Sequence, residues 1–176
     1  LLAVLRQTSA AQPAGTEGGA AGQSAALPTA AAPHEGPPYT IAIDAGHGGT
    51  DIGAEGVINE IQLTEATIGY LEGWLTQDEN YTSVRTHAAD TFSKNTERAA
   101  AANSAGASLL LSVHGNSDPY SSDSYGLECY PQPPGRTHHE DSLRLAHLIA
   151  DKFGAAGQRL RGNAGVRYIY YAGDDT

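Results

Sequence analysis

Two histidines and one glutamate sit in settings from which they could act together. His47 lies in the run Asp44-Ala45-Gly46-His47-Gly48-Gly49, and His114 lies in Ser112-Val113-His114-Gly115-Asn116. Glu60 follows Asn59 at the head of an amphipathic stretch. Two imidazoles and one carboxylate converging on a crevice make a catalytic zinc set, with the fourth position left for water. The glycines beside both histidines would let a substrate approach and let the backbone adopt positive φ. Each residue also has a plainer reading on its own. A histidine at a strand end can be a hydrogen-bonded structural residue, and a glutamate in the first turn of a helix complements the helix dipole. Only convergence separates these readings, and convergence depends on the elements that carry the residues.

Those elements alternate. Tyr39 to Ile43 is a short β-rich apolar run after Pro37-Pro38 and reads as a buried strand. Asp44 to Gly56 is a Gly-rich loop. Glu60 to Leu75 reads as a helix, with Ile61, Ile68, Leu71 and Leu75 on one face and Leu63, Tyr70 and Trp74 beside it. Tyr81 to Arg85 follows as a second strand, then a helix from Thr96 to Ala105 that stops at Gly106. Leu109 to Val113, Gly126 to Tyr130 and Val166 to Tyr171 read as further strands, with a helix from Ser142 to Phe153 among them. Strands alternating with helices predict an α/β fold, a mostly parallel twisted sheet with helices on both faces. Ligands of such sheets sit outside the carboxyl ends of the strands. His47 and His114 both lie just past a strand end, and a helix following the first strand begins at that same edge, which brings Glu60 there.

Composition narrows the partners. The chain has 176 residues, with 10 Lys+Arg against 20 Asp+Glu, a formal net charge of −10. So acidic a chain lacks the basic patch that nucleic acid or anionic membrane requires. Residues 1–38 are mostly Ala, Gly, Pro, Ser, Thr and Gln without strand or helix period, and they read as a flexible linker. Its first residues, Leu1 to Leu5 followed by Arg6, have two readings: the end of a membrane anchor or signal segment, or an apolar start without meaning. The folded domain is expected over residues 39–176. Cys129 is the single cysteine, so no intrachain disulfide or cysteine-based zinc site can form. Its place on a strand predicts a small buried apolar residue. No Gly-x-Ser-x-Gly nucleophile elbow is present.

The run Ile43 to Gly49, then Asn59-Glu60 opening a helix, then Ser112 to Asn116, resembles the zinc-dependent N-acetylmuramoyl-L-alanine amidases of the type 3 cell-wall amidase family. Glu97-Arg98, Ala102-Asn103 and Gly126-Leu127-Glu128 support the resemblance, which extends from about Tyr39 to about Tyr171. It implies zinc ligands at His47, Glu60 and His114, and an acidic residue, Asp44, that orients the first histidine. It implies peptidoglycan as substrate and partner, a monomer, and a location in the cell wall, the periplasm or outside the cell, with an N-terminal tether as one arrangement.

The family's catalytic glutamate sits on a hydrophobic strand near the carboxyl end of its domain. The sequence stops at Asp174-Asp175-Thr176 with no matching strand, so that general base is expected beyond Thr176, in a domain truncated at its C-terminus. Such a truncation predicts a bare sheet edge exposing Ile169 or Tyr170. Glu128 falls where the family also has a glutamate, on a strand and not as the base. The rival expectation is a catalytically inactive cell-wall binding or regulatory module of the same fold, and a third is another zinc hydrolase such as a carboxypeptidase. His138-His139 reads as a solvated loop pair, His147 as a helix-surface residue, and His87 as a loop residue.

Overall fold

A computed structural model describes residues 2–5, 36–115, 117, 120 and 124–169. Five strands form one sheet: β1 (Leu2–Leu5), β2 (Tyr39–Ala45), β3 (Tyr81–Arg85), β4 (Leu109–Val113) and β5 (Cys129–Tyr130). Their spatial order is β3-β2-β4-β1-β5. β2 pairs in parallel with β3 and β4, as βαβ crossovers require. β1 runs antiparallel to β4 and parallel to β5. The expected α/β architecture is therefore present, with β3, β2 and β4 parallel to one another and β1 and β5 parallel to each other in the opposite direction. The Leu2–Leu5 backbone lies inside the sheet. Residues 6–35, read from sequence as linker, lie outside the described residues.

Three helices cover the sheet: α1 (Glu60–Leu75), α2 (Asn95–Ser104) and α3 (His139–Ala155). The side chains of β2 alternate between the two faces. Ile41, Ile43 and Ala45 pack with Ile68 of α1 and Val113 of β4. Ala42 points the other way, onto Ala102 of α2, with Leu110 and Ala107. Both faces of β2 are buried, which is why its middle, Ile41-Ala42-Ile43, is apolar without alternation. Ile43 and Ile68 are almost fully enclosed, and burying an aliphatic side chain of this size stabilises by about 1.5–3 kcal/mol. Cys129 packs with Ala146 and Ala150 of α3. Leu109 borders both the α1 cluster and the α3 side chains Leu145 and Leu148, so α1 and α3 share one face and α2 holds the other.

The amphipathic reading of α1 is right in its axis and too generous in its width. Ile68 is buried, but Leu63, Tyr70 and Trp74 are exposed, and Thr64 is the other enclosed neutral side chain. Two ion pairs, Arg85 to Glu65 at 2.6 Å and to Glu72 at 2.7 Å, tie α1 to β3.

The last expected strand, Val166 to Tyr171, does not form among the described residues. Val166 makes a single parallel bridge to Cys129. The segment leading to it turns through Gly162, Ala164 and Gly165, all at positive φ, and cannot run as a regular strand. Ile169 is exposed, as expected, while Tyr170 and Tyr171 lie outside the described residues.

Candidate metal centre

β2 and β4 are neighbours in register, with Asp44 opposite Ser112 and Ala45 opposite Val113. The loops leaving their carboxyl ends therefore start side by side. Gly46 N–H donates to Val113 O at 2.8 Å and extends the pairing by one residue. His47 then takes φ +71°, a left-handed conformation unusual for a residue with a Cβ. The surroundings hold it there. Gly48 and Asp51 exchange backbone hydrogen bonds at 2.9 and 3.1 Å, closing a tight loop. Thr64 Oγ1 of α1 donates to Gly46 O at 3.0 Å. Arg98 of α2 donates from Nη2 to His47 O at 2.8 Å and from Nη1 to Ala45 O at 2.6 Å.

Asp44 serves this clamp rather than the histidine ring. Its Oδ1 accepts from Arg98 Nη1 at 3.0 Å and from Thr86 Oγ1, and its Oδ2 accepts from Ser112 Oγ at 2.6 Å. The expected role of orienting the His47 imidazole belongs instead to Asp51, whose Oδ2 lies 3.0 Å from His47 Nδ1. That short contact is not aligned as a hydrogen bond, and Nδ1 is buried without one. His47 depresses the Asp51 carboxyl below its ordinary value, more strongly than burial raises it. Only its place four residues after His47, inside the same Gly-rich loop, could have marked Asp51 in the sequence.

Glu60 is where the elements converge. It is the first residue of α1, whose start is fixed by Gln62 Oε1 accepting from Asn59 N–H at 2.9 Å. Its Oε1 lies 3.0 Å from His47 Nε2 and 3.1 Å from His114 Nδ1, and accepts from Gly115 N–H at 2.8 Å. Its Oε2 accepts from Ala54 N–H at 3.0 Å. The two imidazoles stand edge to face, with ring centroids 5.1 Å apart. Burial pushes the Glu60 carboxyl up. The Ala54 and Gly115 amides and the His47 charge push harder the other way, so it stays below its ordinary range. Burial also lowers the His114 pKa, against the pull of Glu60. The apo site thus favours a carboxylate facing a His114 imidazole that gives up its proton readily, as a divalent cation requires of a ligand.

The donor set fits zinc. One ligand atom from each of His47, Glu60 and His114 lies within 4.8 Å of the other two. Tetrahedral zinc with bonds near 2.0–2.1 Å has ligand–ligand edges of about 3.3 Å, close to the separations around Glu60 Oε1. Glycine makes the closeness possible. A Cβ at Gly46 would land on the His114 ring, and one at Gly53 would lie 2.5 Å from His47 Cδ2 and 2.7 Å from Glu60 Cβ.

The other sequence candidates fall elsewhere. Glu128 is buried, but its Oε1 holds Arg167 Nη1 at 2.6 Å and its Oε2 takes Tyr130 OH at 3.1 Å and Arg161 Nη1 at 3.4 Å. A carboxylate so engaged is unsuited to a base. His139 is not a solvated loop residue: it opens α3, and its Nδ1 lies 2.7 Å from Gln132 O. His87 has a buried ring, with Nε2 2.9 Å from Ala45 O and Nδ1 2.9 Å from Ala88 O. His147 is exposed on α3 as expected. Cys129 is fully enclosed, and burial pushes its thiol up to about 11. Among the described residues, no helix is long and apolar enough to cross a membrane.

Comparison with known proteins agrees with this geometry. The sequence model of the N-acetylmuramoyl-L-alanine amidases matches residues 41–171. The chain is similar to the catalytic domain of CwlV, an N-acetylmuramoyl-L-alanine amidase from Bacillus (Paenibacillus) polymyxa var. colistinus. Identity is 29% over 76% of this chain and 71% of that one, with a TM-score of 0.60. An N-acetylmuramoyl-L-alanine amidase of Nostoc punctiforme, AmiC2, is 25% identical over 78% of this chain and 72% of its own, with a TM-score of 0.63. An amidase structure from Clostridium difficile, 24% identical over 75% of this chain and 69% of its own, shares the fold at a TM-score of 0.65. No curated protein sequence matches the chain.

Proposed function

The chain belongs to the N-acetylmuramoyl-L-alanine amidase family, and from that premise we propose that it is a zinc-dependent hydrolase of bacterial peptidoglycan. Its bond is the amide between the lactyl group of N-acetylmuramic acid and the L-alanine of the stem peptide. It acts outside the cytoplasmic membrane, where that polymer lies. The observation that carries the reading is the convergence of His47 Nε2 and His114 Nδ1 on Glu60 Oε1 at 3.0 and 3.1 Å.

His47, Glu60 and His114 would hold the metal. A bound zinc ion polarises a carbonyl and brings the pKa of its water down to about 7. The chain's own groups make the place for that chemistry. Asp51 faces the second nitrogen of His47, with its Oδ2 3.0 Å from Nδ1. The amides of Ala54 and Gly115 keep Glu60 ionised. Arg98 and Thr64 hold the His47 loop against α1 and α2. The absence of side chains at Gly46 and Gly115 lets these loops close on the His114 ring, on Leu63 and on Glu60. The general base of this reading is a glutamate, which would take a proton from the attacking water and return it to the leaving amine.

The test is metal analysis of the wild-type chain and of His114→Ala, together with muropeptide release by this chain and by a version extended past Thr176. We expect one equivalent of zinc in the wild type, none in the variant, and release that is strong only in the extended protein. One equivalent retained by His114→Ala would overturn the ligand assignment. Wall binding with zinc but no release by the extended protein would identify a non-catalytic module instead.

A further inference from the structure

Glu128 lies at the same sheet edge as the metal centre. Leu2 of β1 is opposite Val113 on one side and Cys129 on the other. His114 follows Val113 and Glu128 precedes Cys129 at that same edge, and the register sets Val113 and Cys129 two strand spacings apart, about 10 Å between Cα atoms.

The segment after α3 zips along this edge. Leu127 N–H donates to Arg159 O at 2.8 Å, and Arg161 N–H to Leu127 O at 3.0 Å. Cys129 N–H donates to Gly165 O at 2.7 Å, and Arg167 N–H to Cys129 O at 3.0 Å. This zipper sets Arg161 and Arg167 on either side of Glu128, and one buried carboxylate then positions two guanidiniums. Arg159 stacks over Tyr125 at 4.3 Å nearby. In a chain with 10 cationic residues and a net charge of −10, three arginines are gathered at this one corner.

Two arginines beside the metal-centre strands, Arg85 and Arg98, are used up. Arg85 gives Nε, Nη1 and Nη2 to Glu72 and Glu65. Arg98 gives all three nitrogens to Asp44 and backbone carbonyls. Arg167 differs: Nη1 meets Glu128, its other nitrogens have no partner among the described residues, and the side chain is 49% exposed. A guanidinium fixed at one nitrogen and open at the others is preorganised for a bidentate carboxylate.

We propose that Arg167, with Arg161 and held by Glu128, is the subsite for a carboxylate on the peptide side of the scissile amide. The proposal rests on the amidase reading for the direction in which the peptide leaves the metal. A carboxylate two backbone units beyond the cleaved bond is about 7 Å from it, and the arginine side chain spans the rest. That is where a stem peptide continuing L-Ala-γ-D-Glu carries its free α-carboxylate.

The experiment needs no turnover. Calorimetry on the zinc-loaded chain would compare L-Ala-γ-D-Glu with its α-amide, L-Ala-D-isoglutamine. We expect the acid to bind about tenfold more tightly, the scale of one charge-assisted hydrogen bond. Arg167→Gln should remove the preference with zinc content unchanged. Arg167→Lys should keep part of it, since the charge stays and the fork is lost. No preference in the wild type, or a preference that survives in folded Arg167→Gln, would overturn the subsite. Muropeptide assays separate the two readings. Equal hydrolysis of acid and amide substrates would end the subsite while leaving the amidase. An Arg167-dependent preference in a protein that releases no peptide would do the reverse.

Discussion

Glu60 and Glu128 are carboxylates buried to nearly the same degree, 5% and 4% exposed, at the same edge of one sheet. What they face differs. Glu60 meets two imidazoles and two backbone amides. Glu128 meets two guanidiniums and a phenol. An imidazole can give up its proton and offer a lone pair, so the Glu60 group can exchange internal contacts for a cation. A guanidinium cannot, so the Glu128 group has no basic partner that could offer a lone pair to a cation. Burial alone therefore says little about what a carboxylate is for, and the chemistry of its partners decides it.

The sharpest way to break this contrast is to neutralise each acid in turn. Glu60→Gln should lower zinc affinity by about 100-fold or more, beyond the range seen when supporting partners of ligands are lost, as read by metal titration. Glu128→Gln should keep its zinc. It should lose about 1–2 kcal/mol of stability in denaturant unfolding, less than the 3–5 kcal/mol typical of a fully buried pair, because both arginines can turn to water. If Glu128→Gln shed zinc as Glu60→Gln does, the two corners would be one site and the contrast would fall.

How much of this was readable in the sequence follows the same divide. The ligands were legible because each sits at a strand end or helix start that hydrophobic periodicity marks, and α1, β3 and β4 have the limits that periodicity predicts. Helix capping and apolar runs are local signals. The arginine partners of Glu128 come from a segment more than thirty residues on, turned by Gly162, Ala164 and Gly165, and no period announces such a path. Asp44 was misread for a related reason. Its place beside His47 in sequence suggested contact, yet strand alternation aims it at Ser112, Thr86 and Arg98 on the α2 side. The insertion of Leu2–Leu5 between β4 and β5 joins residues more than a hundred apart, beyond the reach of local pattern.

Glycines allow a finer cut. Gly53 and Gly157 both have positive φ, +69° and +77°. Alanine at either should cost about 1–2 kcal/mol for the left-handed backbone alone. At Gly157 nothing lies within 4 Å of the added carbon, so Gly157→Ala should change stability and leave metal affinity as it was. At Gly53 the carbon would crowd His47 and Glu60, and Gly53→Ala should weaken zinc binding by about tenfold or more, comparable to losing a supporting contact. Equal zinc affinity in the two variants would mean that the cradle around the ligands is loose.

The smallest expected effect is the pH dependence of the metal-free chain, and its sign follows from the two partners at the Glu60 corner. The His114 pKa lies below its ordinary 6.5, chiefly through burial. As pH falls through 6.5, the unfolded chain takes up that proton before the folded chain does, so stability declines with acidification. Glu60 lies below its ordinary 4.5: burial opposes the ionised form, but the Ala54 and Gly115 amides and the charge of His47 outweigh it. Its contribution is present above 4.5 and is lost as pH falls through the folded value. Both steps run in the same direction, the histidine step first. Other histidines titrate in the same range, so the informative quantity is the difference between wild type and His114→Ala, each stripped of metal and unfolded in denaturant from pH 7.5 to 4. The wild type should lose more stability than the variant between 6.5 and 5. A variant that loses as much would mean that His114 is as hydrated as an unfolded histidine. The His114 imidazole that helps set Glu60 apart from Glu128 would then not be held neutral for a cation at all.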